Sequence, residues 1–382
     1  MATGDVTLIL LVGGWGCSET EWALDRAHRA AARDLLESLL RTGLVGRAVV
    51  ATDDADWGNS LDDLPVEVDL DRPGDPFHFG RRLAGLIERH NAQCVLYSGG
   101  ASAPLLDVDR WFEVMDRLRE RERLVLANNL HSCDWVGFTP AVEVAPLVAR
   151  EASDNAVAWV LAHQAGLPAE DLPASAATRF DLDTPADLLI VQKHPDVGPC
   201  LRRFLEDLDW QASWLDGVVT EMRREGGSLA VMGRVSAIAW AALERATRCW
   251  VRVFAEERGM RASGRQGRGE VRSLVSNYLD AVGVVGFFDA LADLANGVLL
   301  DNRVIIAARG LWPSTVDRFN SDLFRWDRVR EPFLRRFTRA AAEARVPVMM
   351  GGHSVVAGGL MALAEAVLPE ERASLEVGDG EA

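Results

Sequence analysis

The sequence is almost devoid of lysine. Lys193 is the one lysine among 41 basic residues, which leaves 40 arginines. Because arginine is a permanent cation and a poor proton shuttle, chemistry that ordinarily uses a lysine must here use arginine or Lys193. Acidic residues number 57, and the formal net charge is −16. That charge repels nucleic acid and anionic membranes, so neither is expected as a partner, although a local basic pocket for a phosphate stays open.

Paired cysteines and long apolar runs are also missing. The five cysteines are scattered and never form a C-x-x-C pair, which argues against a zinc site or a disulfide framework and indicates a reducing, cytoplasmic setting. No uncharged apolar stretch approaches the roughly 18 residues that a membrane-spanning helix needs. The apolar run 6–12 has no basic segment before it, so it indicates a first β-strand rather than a signal peptide.

The first half of the chain alternates between strand and helix patterns. Unbroken apolar runs indicate strands that are buried on both faces, and apolar residues at helical spacing indicate the helices between them. This order predicts an α/β fold with a mostly parallel sheet and helices on both faces. The strands are predicted at 6–12, 47–52, Val66–Leu70, Cys94–Tyr97 and Arg123–Ala127, and the helices at 22–43, 79–91, 109–122 and 141–166.

The second half is predicted to be mainly helical. A helix is expected to begin at Pro185, with Thr184 as its N-cap, because proline is favoured at the first helical position and threonine just before it. After Pro199 the chain has a helical pattern to about residue 296. Short strands are expected at Val298–Leu300, Val304–Ala307 and Val346–Met350. These patterns predict an α/β domain at 1–198 and a mainly helical domain of unknown role at 199–375.

Four motifs in the first half, taken together, resemble those of a known family. They are Leu11-Val12-Gly13-Gly14-Trp15-Gly16, Ala103-Pro104-Leu105-Leu106, the polar segment Asn128–Phe138, and Asp181-Leu182-Asp183-Thr184-Pro185-Ala186-Asp187-Leu188. In this order they resemble the nucleotidyltransferases of the GT-A-like α/β fold, over roughly residues 5–195. The nearest members are the phospholactate guanylyltransferases and the molybdenum-cofactor nucleotidyltransferases.

The resemblance implies an enzyme that transfers a nucleotidyl group from an NTP to a small phosphorylated acceptor and releases pyrophosphate. On this mapping, Gly13, Gly14 and Gly16 line the nucleotide, because a glycine turn lets backbone amides approach it closely. Asp183 is expected to bind Mg²⁺. Oxygen-rich sites suit this ion, which usually takes one or two carboxylates and keeps several waters.

Two family features differ in this sequence. After the glycine turn the family usually has Arg and Lys, whereas this chain continues with the acidic segment 17–22, so Arg26 and Arg29 are the expected phosphate clamps. Ser102 stands where the family has a metal-binding aspartate, and it is expected to line the nucleotide site. Asp134 is the expected second metal ligand, with Asp107 and Asp109 as alternatives. A non-catalytic nucleotide-binding protein and a GT-A glycosyltransferase that uses a sugar nucleotide therefore stay open.

Two segments of the second half could also bind anions. Gly352-His353-Ser354 follows an expected strand and precedes an apolar helix, so its turn could bind an anion or serve only for tight packing. The segment 252–269 is rich in arginine and glycine. It could close on a phosphorylated acceptor, or it could be a charged surface loop with internal ion pairs. The oligomeric state cannot be derived from these patterns.

Overall fold

The computed structural model describes residues 5–72, 74 and 76–367. These residues form two compact units, each built from three stretches of chain. The first unit contains residues 5–16, 25–181 and 196–204, and the second contains 17–24, 182–195 and 205–367. The domain ranges 1–198 and 199–375 stay a prediction, and residues 368–375 lie outside the described part of the chain.

The strands and helices alternate along most of the chain. The strands are β1 Val6–Leu11, β2 Val45–Thr52, β3 Glu67–Leu70, β4 Val95–Gly99, β5 Leu124–Ala127, β6 Trp135–Thr139, β7 Ala169–Asp171, β8 Ser228–Gly233, β9 Trp250–Ala255, β10 Gly297–Asp301 and β11 Val348–Gly351. The helices are α1 Glu19–Arg41, α2 Ala55–Asn59, α3 Phe79–Arg89, α4 Val108–Glu120, α5 Ala141–Val148, α6 Val157–His163, α7 Ala176–Arg179, α8 Pro185–Gln192, α9 Pro199–Glu206, α10 Ser213–Arg223, α11 Ala237–Ala246, α12 Leu274–Leu294, α13 Asn302–Ala308, α14 Thr315–Asp322, α15 Pro332–Ala342 and α16 Gly358–Val367.

The first unit contains a seven-stranded, mostly parallel sheet in the order β3-β2-β1-β4-β6-β5-β7. β6 is antiparallel to both of its neighbours, and the other pairs are parallel. Side chains of β1 alternate between two apolar layers. Ile9 packs with residues of α3, α5 and α6, whereas Leu8 and Leu10 pack with residues of α1 and α4. The predicted α/β sheet with helices on both faces is therefore confirmed.

The second unit is mainly helical and is built around a four-stranded parallel sheet in the order β11-β10-β8-β9. Its central strands β8 and β10 are mostly apolar and almost completely buried, as expected for a parallel sheet that is covered on both faces. An aromatic cluster of α12 and α15 covers one face, and its members Phe287, Phe288 and Phe337 are buried. The predicted strands at Val298–Leu300 and Val346–Met350 correspond to β10 and β11.

Three predictions of secondary structure were wrong. Val304–Ala307 lies in helix α13 rather than in a strand, because the Asp301 side chain accepts a hydrogen bond from the Arg303 N–H and caps the helix start. The predicted helix 141–166 is divided into α5 and α6 by an irregular segment. β8 and β9 lie within the stretch that was expected to be helical.

Helix α12 is long and apolar. Its length and mean hydropathy would allow it to cross a membrane, but a third of its most apolar stretch is buried in the protein. Gly283, with φ 75°, interrupts the helical backbone. A single helix of this kind is weak evidence for a membrane span.

Candidate functional site

The glycine turn lies at the carboxyl edge of the first sheet, at the point where the strand order reverses. From β1 the chain proceeds to β2 and β3 on one side, and it then returns to β4 on the other side. Gly13 and Gly14 lie just after β1, Gly99 is the last residue of β4, and Gly100 follows it. In open α/β sheets, ligands bind in the crevice at such a reversal. The topology therefore places both glycine pairs at the expected ligand crevice.

The turn is open at one glycine and tightly packed at the next. A methyl group built on Gly13 would meet no atom within 4 Å, so this residue faces free space. A methyl group on Gly14 would lie 3.0 Å from the Arg29 guanidinium and 3.3 Å from the Asp53 carboxylate. Gly16 has φ 105°, a conformation that favours glycine. Gly14 and Gly16 are thus constrained by close contacts and by backbone conformation, Gly13 leaves space open, and Arg29 reaches the turn.

The backbone amides of the turn are occupied by carboxylates of the same chain. The Gly14 N–H donates to Asp53 Oδ1 at 2.6 Å, and the Trp15 N–H donates to Asp25 Oδ1 at 3.3 Å. Directly after the turn, the Cys17 N–H donates to Glu21 Oε2 at 3.0 Å. Amides of a glycine turn are the groups that would bind phosphate oxygens. Internal carboxylates therefore stand where a nucleotide phosphate would bind.

The two predicted phosphate clamps differ in their surroundings. Arg29 forms ion pairs with Asp25, at 3.0 Å, and with Asp54. Together with the Trp57 backbone N–H, Arg29 holds the pKa of Asp54 below its ordinary value, against the effect of burial. Arg26 is exposed, and its guanidinium lies 5.7 Å from the centre of the Phe204 ring. Arg29 is thus beside the turn, but its charge is already compensated.

A hollow of about 360 Å³ opens beside the turn. It is lined by Gly14, Arg29, Asp53, Asp54, Ala55 and Asp56. With three carboxylates and one guanidinium, the formal charge of the lining is negative. A phosphate can occupy this hollow only together with a cation or after the carboxylates have moved, because like charges at close range repel.

Ser102 and Asp134 form a second polar cluster at the same edge. The Ser102 hydroxyl donates to the Asp134 carbonyl oxygen at 2.9 Å, and the Ser102 backbone forms a bridge with Asp181. The Asn128 amide donates to Asp134 Oδ2 at 2.7 Å, and its oxygen accepts from the Asp134 N–H. Ser102 and Asn128 therefore position Asp134, which is half-buried.

Arg179 lies near this cluster without joining its hydrogen bonds. Its guanidinium is half-buried, and its Nε atom is buried without a hydrogen-bond partner among the described residues. Burial lowers the pKa of Arg179, and Asp171 and Asp134 counteract this effect. A desolvated arginine of this kind is a suitable partner for an incoming anion, because guanidinium binds carboxylate or phosphate through two parallel hydrogen bonds.

Asp183 belongs to the second unit, whereas the glycine turn belongs to the first. Its side chain is exposed, and its backbone N–H donates to Asp187 Oδ2 at 3.1 Å. Asp187 Oδ2 also accepts from the N–H and the hydroxyl of Thr184. Burial and the nearby Asp183 raise the pKa of Asp187 to about 7. Asp187 therefore forms a capping box with Thr184, which is the N-cap of α8 as predicted.

The described residues contain no group of three or more His, Cys, Asp or Glu side chains that could hold a metal ion. Mg²⁺, however, needs only one or two protein carboxylates when phosphates and water supply its other ligands. Asp134 meets the requirement for one such carboxylate, since Asn128 already orients it. The metal-binding roles of Asp134 and Asp183 stay predictions.

The sequence patterns did not identify Asp53 and Asp25 as contacts of the turn. Asp53 is 39 residues away from Gly14, and only the sheet topology brings the ends of β1 and β2 together. An aspartate at the carboxyl end of a predicted parallel strand was the one available signal. The only sequence signal for Arg179 was its position two residues before the Asp181–Leu188 motif.

Comparison with known proteins gives fold neighbours but no family. No family model matches the chain, and no curated protein sequence matches it. Its structural neighbours over the N-terminal half are nucleotidyl- and cytidylyltransferases. A nucleotidyl transferase from Methanothermobacter thermautotroptrophicus is 12% identical, covers 54% of this chain and 100% of its own, and has a TM-score of 0.39. CMP:2-keto-3-deoxy-manno-octonic acid synthetase complexed with CTP is also 12% identical. Its match covers 54% of this chain and 100% of its own, with a TM-score of 0.38. Rv0371C from Mycobacterium tuberculosis in complex with manganese is 19% identical. Its match covers 53% of this chain and 98% of its own, with a TM-score of 0.31.

Proposed function

We propose that the protein is a nucleotidyltransferase that binds an NTP at the carboxyl edge of its seven-stranded sheet. It would transfer the nucleotidyl group to a small phosphorylated acceptor and release pyrophosphate. The observation that carries this proposal is the glycine turn at the strand reversal, with Gly13 facing free space. The motifs at Gly13–Gly16 and Asp181–Leu188 support it through their resemblance to the phospholactate guanylyltransferases and the molybdenum-cofactor nucleotidyltransferases.

Nucleotide binding at this turn requires an exchange of partners. Phosphate oxygens would replace Asp53 at the Gly14 amide and Asp25 at the Trp15 amide. Arg29 would move its hydrogen bonds from Asp25 and Asp54 to the phosphates. The exchange keeps every amide and the guanidinium satisfied, but it brings negative charges close together, so a cation must accompany the nucleotide.

Mg²⁺ is the cation that we assign to this role, with Asp134 as the protein ligand in the first unit and Asp183 as a further candidate. The ion would neutralise the phosphates and favour departure of pyrophosphate. Asn128 and Ser102 orient Asp134, and Arg179 would bind the anionic group of the acceptor. Because phosphoryl chemistry depends mostly on positioning and charge compensation, these side chains need not exchange protons with the substrate.

A second candidate function is nucleotide binding without catalysis. It is favoured by one observation: the carboxylates of Asp53 and Asp25 already satisfy the turn amides. A protein that retains the fold but binds nucleotides weakly would show this arrangement. A glycosyltransferase on the same fold would instead prefer UDP- or GDP-sugars. A cytoplasmic location and the absence of nucleic acid or membrane partners stay predictions.

Calorimetric titration with each of the four NTPs, with and without Mg²⁺, separates these functions. The transferase requires Mg²⁺-dependent binding of at least one NTP, which Asp134→Asn weakens. Asp62→Asn, an exposed aspartate outside the hollow, is the matched control. Binding that does not depend on Mg²⁺ supports the non-catalytic protein, and a preference for sugar nucleotides supports the glycosyltransferase. If no nucleotide binds, the proposed function is wrong.

A further inference from the structure

The sheet of the second unit has its own strand reversal. From β8 the chain proceeds to β9 on one side, and it then returns to β10 and β11 on the other side. The carboxyl ends of β8 and β10 therefore flank a second position at which α/β sheets bind ligands. The residues that follow these strands are Arg234 and Asn302, and His353 follows β11 after one intervening glycine.

Arg234 is fixed at this edge by a buried carboxylate. Its Nε and Nη2 atoms donate to the two oxygens of Asp301 at 2.5 and 3.0 Å, and Asp301 is fully buried. Although burial opposes it, Arg234 holds the pKa of Asp301 below its ordinary value. Gly233 has φ 116°, and a methyl group there would lie 2.6 Å from Asp301 Cβ. The backbone is therefore shaped to hold this pair.

A second pair uses the other buried carboxylate of the cluster. Arg303 donates to both oxygens of Asp322 at 2.9 and 2.6 Å, and both residues are buried. Arg318 lies nearby and donates only to the Pro313 carbonyl and the Thr315 hydroxyl. No carboxylate of the described chain forms an ion pair with Arg318. Each of the two buried carboxylates thus pairs with one arginine, whereas Arg318 has no ion pair among the described residues.

Neighbouring arginines act on the pKa values of two groups in this cluster. Burial and the neighbouring Arg303 lower the pKa of Arg318 to about 10, and Arg261 contributes, although Asp322 and Glu21 counteract it. Desolvation by the surrounding protein, Arg234 and Arg258 lower the pKa of His353, while Asp301 counteracts them. This positive region is notable in a chain whose formal net charge is −16.

Unsatisfied amide atoms occur in the same cluster. Nδ2 of Asn302 and Oδ1 of Asn320 are both buried without a hydrogen-bond partner in the described chain. Buried polar atoms are paired in most proteins, and an unpaired one usually indicates a missing ligand or water. His353 remains exposed, and its Nε2 lies 3.1 Å from the Arg234 carbonyl oxygen, so its other ring nitrogen is available. The cluster therefore has both an accessible part and unfilled hydrogen-bonding capacity.

We propose that the carboxyl edge of the second sheet is a separate binding site for a small molecule that carries a phosphate group. Arg234, Arg258 and His353 would contact the phosphate, and the charges of Arg261 and Arg318 would strengthen its attraction. A phosphate dianion with three acceptor oxygens suits several converging arginines better than a carboxylate does. Arg258 belongs to the arginine- and glycine-rich segment 252–269, so this segment would form one wall of the site.

The test uses inorganic phosphate as the probe and the imidazole of His353 as the reporter. The His353 resonances are identified by NMR with the help of His353→Gln, and their pH titration is recorded with and without phosphate at constant ionic strength. Because a bound dianion stabilises the imidazolium, phosphate is expected to raise the pKa of His353. A pKa that is the same with and without tens of millimolar phosphate would overturn the proposal.

Two variants establish where the phosphate binds. Arg258→Gln removes an exposed arginine that no ion pair of the described chain restrains, and it should weaken phosphate binding about tenfold. Arg336→Gln removes an exposed arginine on α15 and is the matched control. Equal weakening by both variants would show nonspecific attraction and contradict the site. Asp53→Asn in the first unit should leave the His353 response unchanged, which distinguishes this site from the nucleotide site.

Discussion

Replacement of Asp53 by asparagine is expected to tighten nucleotide binding. The Asp53 carboxylate accepts from the Gly14 N–H at 2.6 Å, at the position that a phosphate oxygen would take. Asparagine can still accept this hydrogen bond when no nucleotide is present, so the turn should keep its shape. The substitution removes one negative charge from the lining of the hollow, and that charge would repel the phosphates.

The size of the effect follows from Coulomb's law. Two unit charges about 4 Å apart interact with about 1 kcal/mol in water, and more where the solvent is excluded. Asp53 is exposed, so the lower figure applies, and Kd should fall about fivefold for each phosphate charge at this distance. Added salt should reduce the difference, because exposed charges are screened.

Isothermal titration calorimetry of wild type and Asp53→Asn with the preferred NTP measures this change. Asp62→Asn makes the same change in net charge outside the hollow and should alter Kd little. If Asp53→Asn binds no more tightly than wild type, phosphates do not approach the Gly14 amide. If both variants tighten binding equally, the effect is one of overall charge and gives no support to this position.

Three further predictions concern stability. Gly80→Ala should destabilise the fold by roughly 2 kcal/mol or more, because the new methyl group would lie 2.1 Å from the Val148 carbonyl oxygen. On the same helix, the methyl group of Gly85→Ala would meet no atom, so this substitution should stabilise the fold by about 0.5–1 kcal/mol. Urea denaturation measures both changes. The pKa of Asp187 is raised to about 7, so ionisation of this carboxyl opposes folding. Between roughly pH 5 and pH 8, the free energy of unfolding of wild type should therefore fall by up to about 3 kcal/mol more than that of Asp187→Asn. Parallel pH profiles of the two proteins would refute this. Arg179→Met should change the free energy of unfolding by less than about 1 kcal/mol, because the desolvated guanidinium has no ion pair in the described chain. If the free energy of unfolding falls by about 3 kcal/mol, Arg179 belongs to a buried ion pair and the prediction is wrong.

Five of the seven strands of the first sheet, β1 to β5, were predicted from short and mostly apolar runs, whereas β6 and β7 were not predicted. β1 and β4 both have this pattern, and their burial on two faces requires it. The same reasoning failed at Val304–Ala307, where an apolar run is also compatible with a buried helix. β8 is also a short apolar run that ends in glycine, but it lies between helical segments and was not predicted.

The glycine turn and Asp134 could be proposed as site residues because their motifs are local in sequence. The contacts of the turn could not be predicted from the sequence, because Asp53 reaches Gly14 only through the pairing of β1 with β2. The positive cluster of the second unit was likewise indicated in part by Gly352-His353-Ser354. Its anchor, the pair of Arg234 with Asp301, joins residues 67 positions apart.

The central claim is that a nucleotide binds at the Gly13–Gly16 turn and displaces carboxylates from its amides. Amide NMR of selectively ¹⁵N-glycine-labelled protein, recorded while an NTP and Mg²⁺ are added, tests it most directly. The largest shifts are expected at Gly13 and Gly14, and the Gly14 resonance should respond less in Asp53→Ala, where the carboxylate is already gone. Saturable NTP binding that leaves both resonances in place would contradict the account.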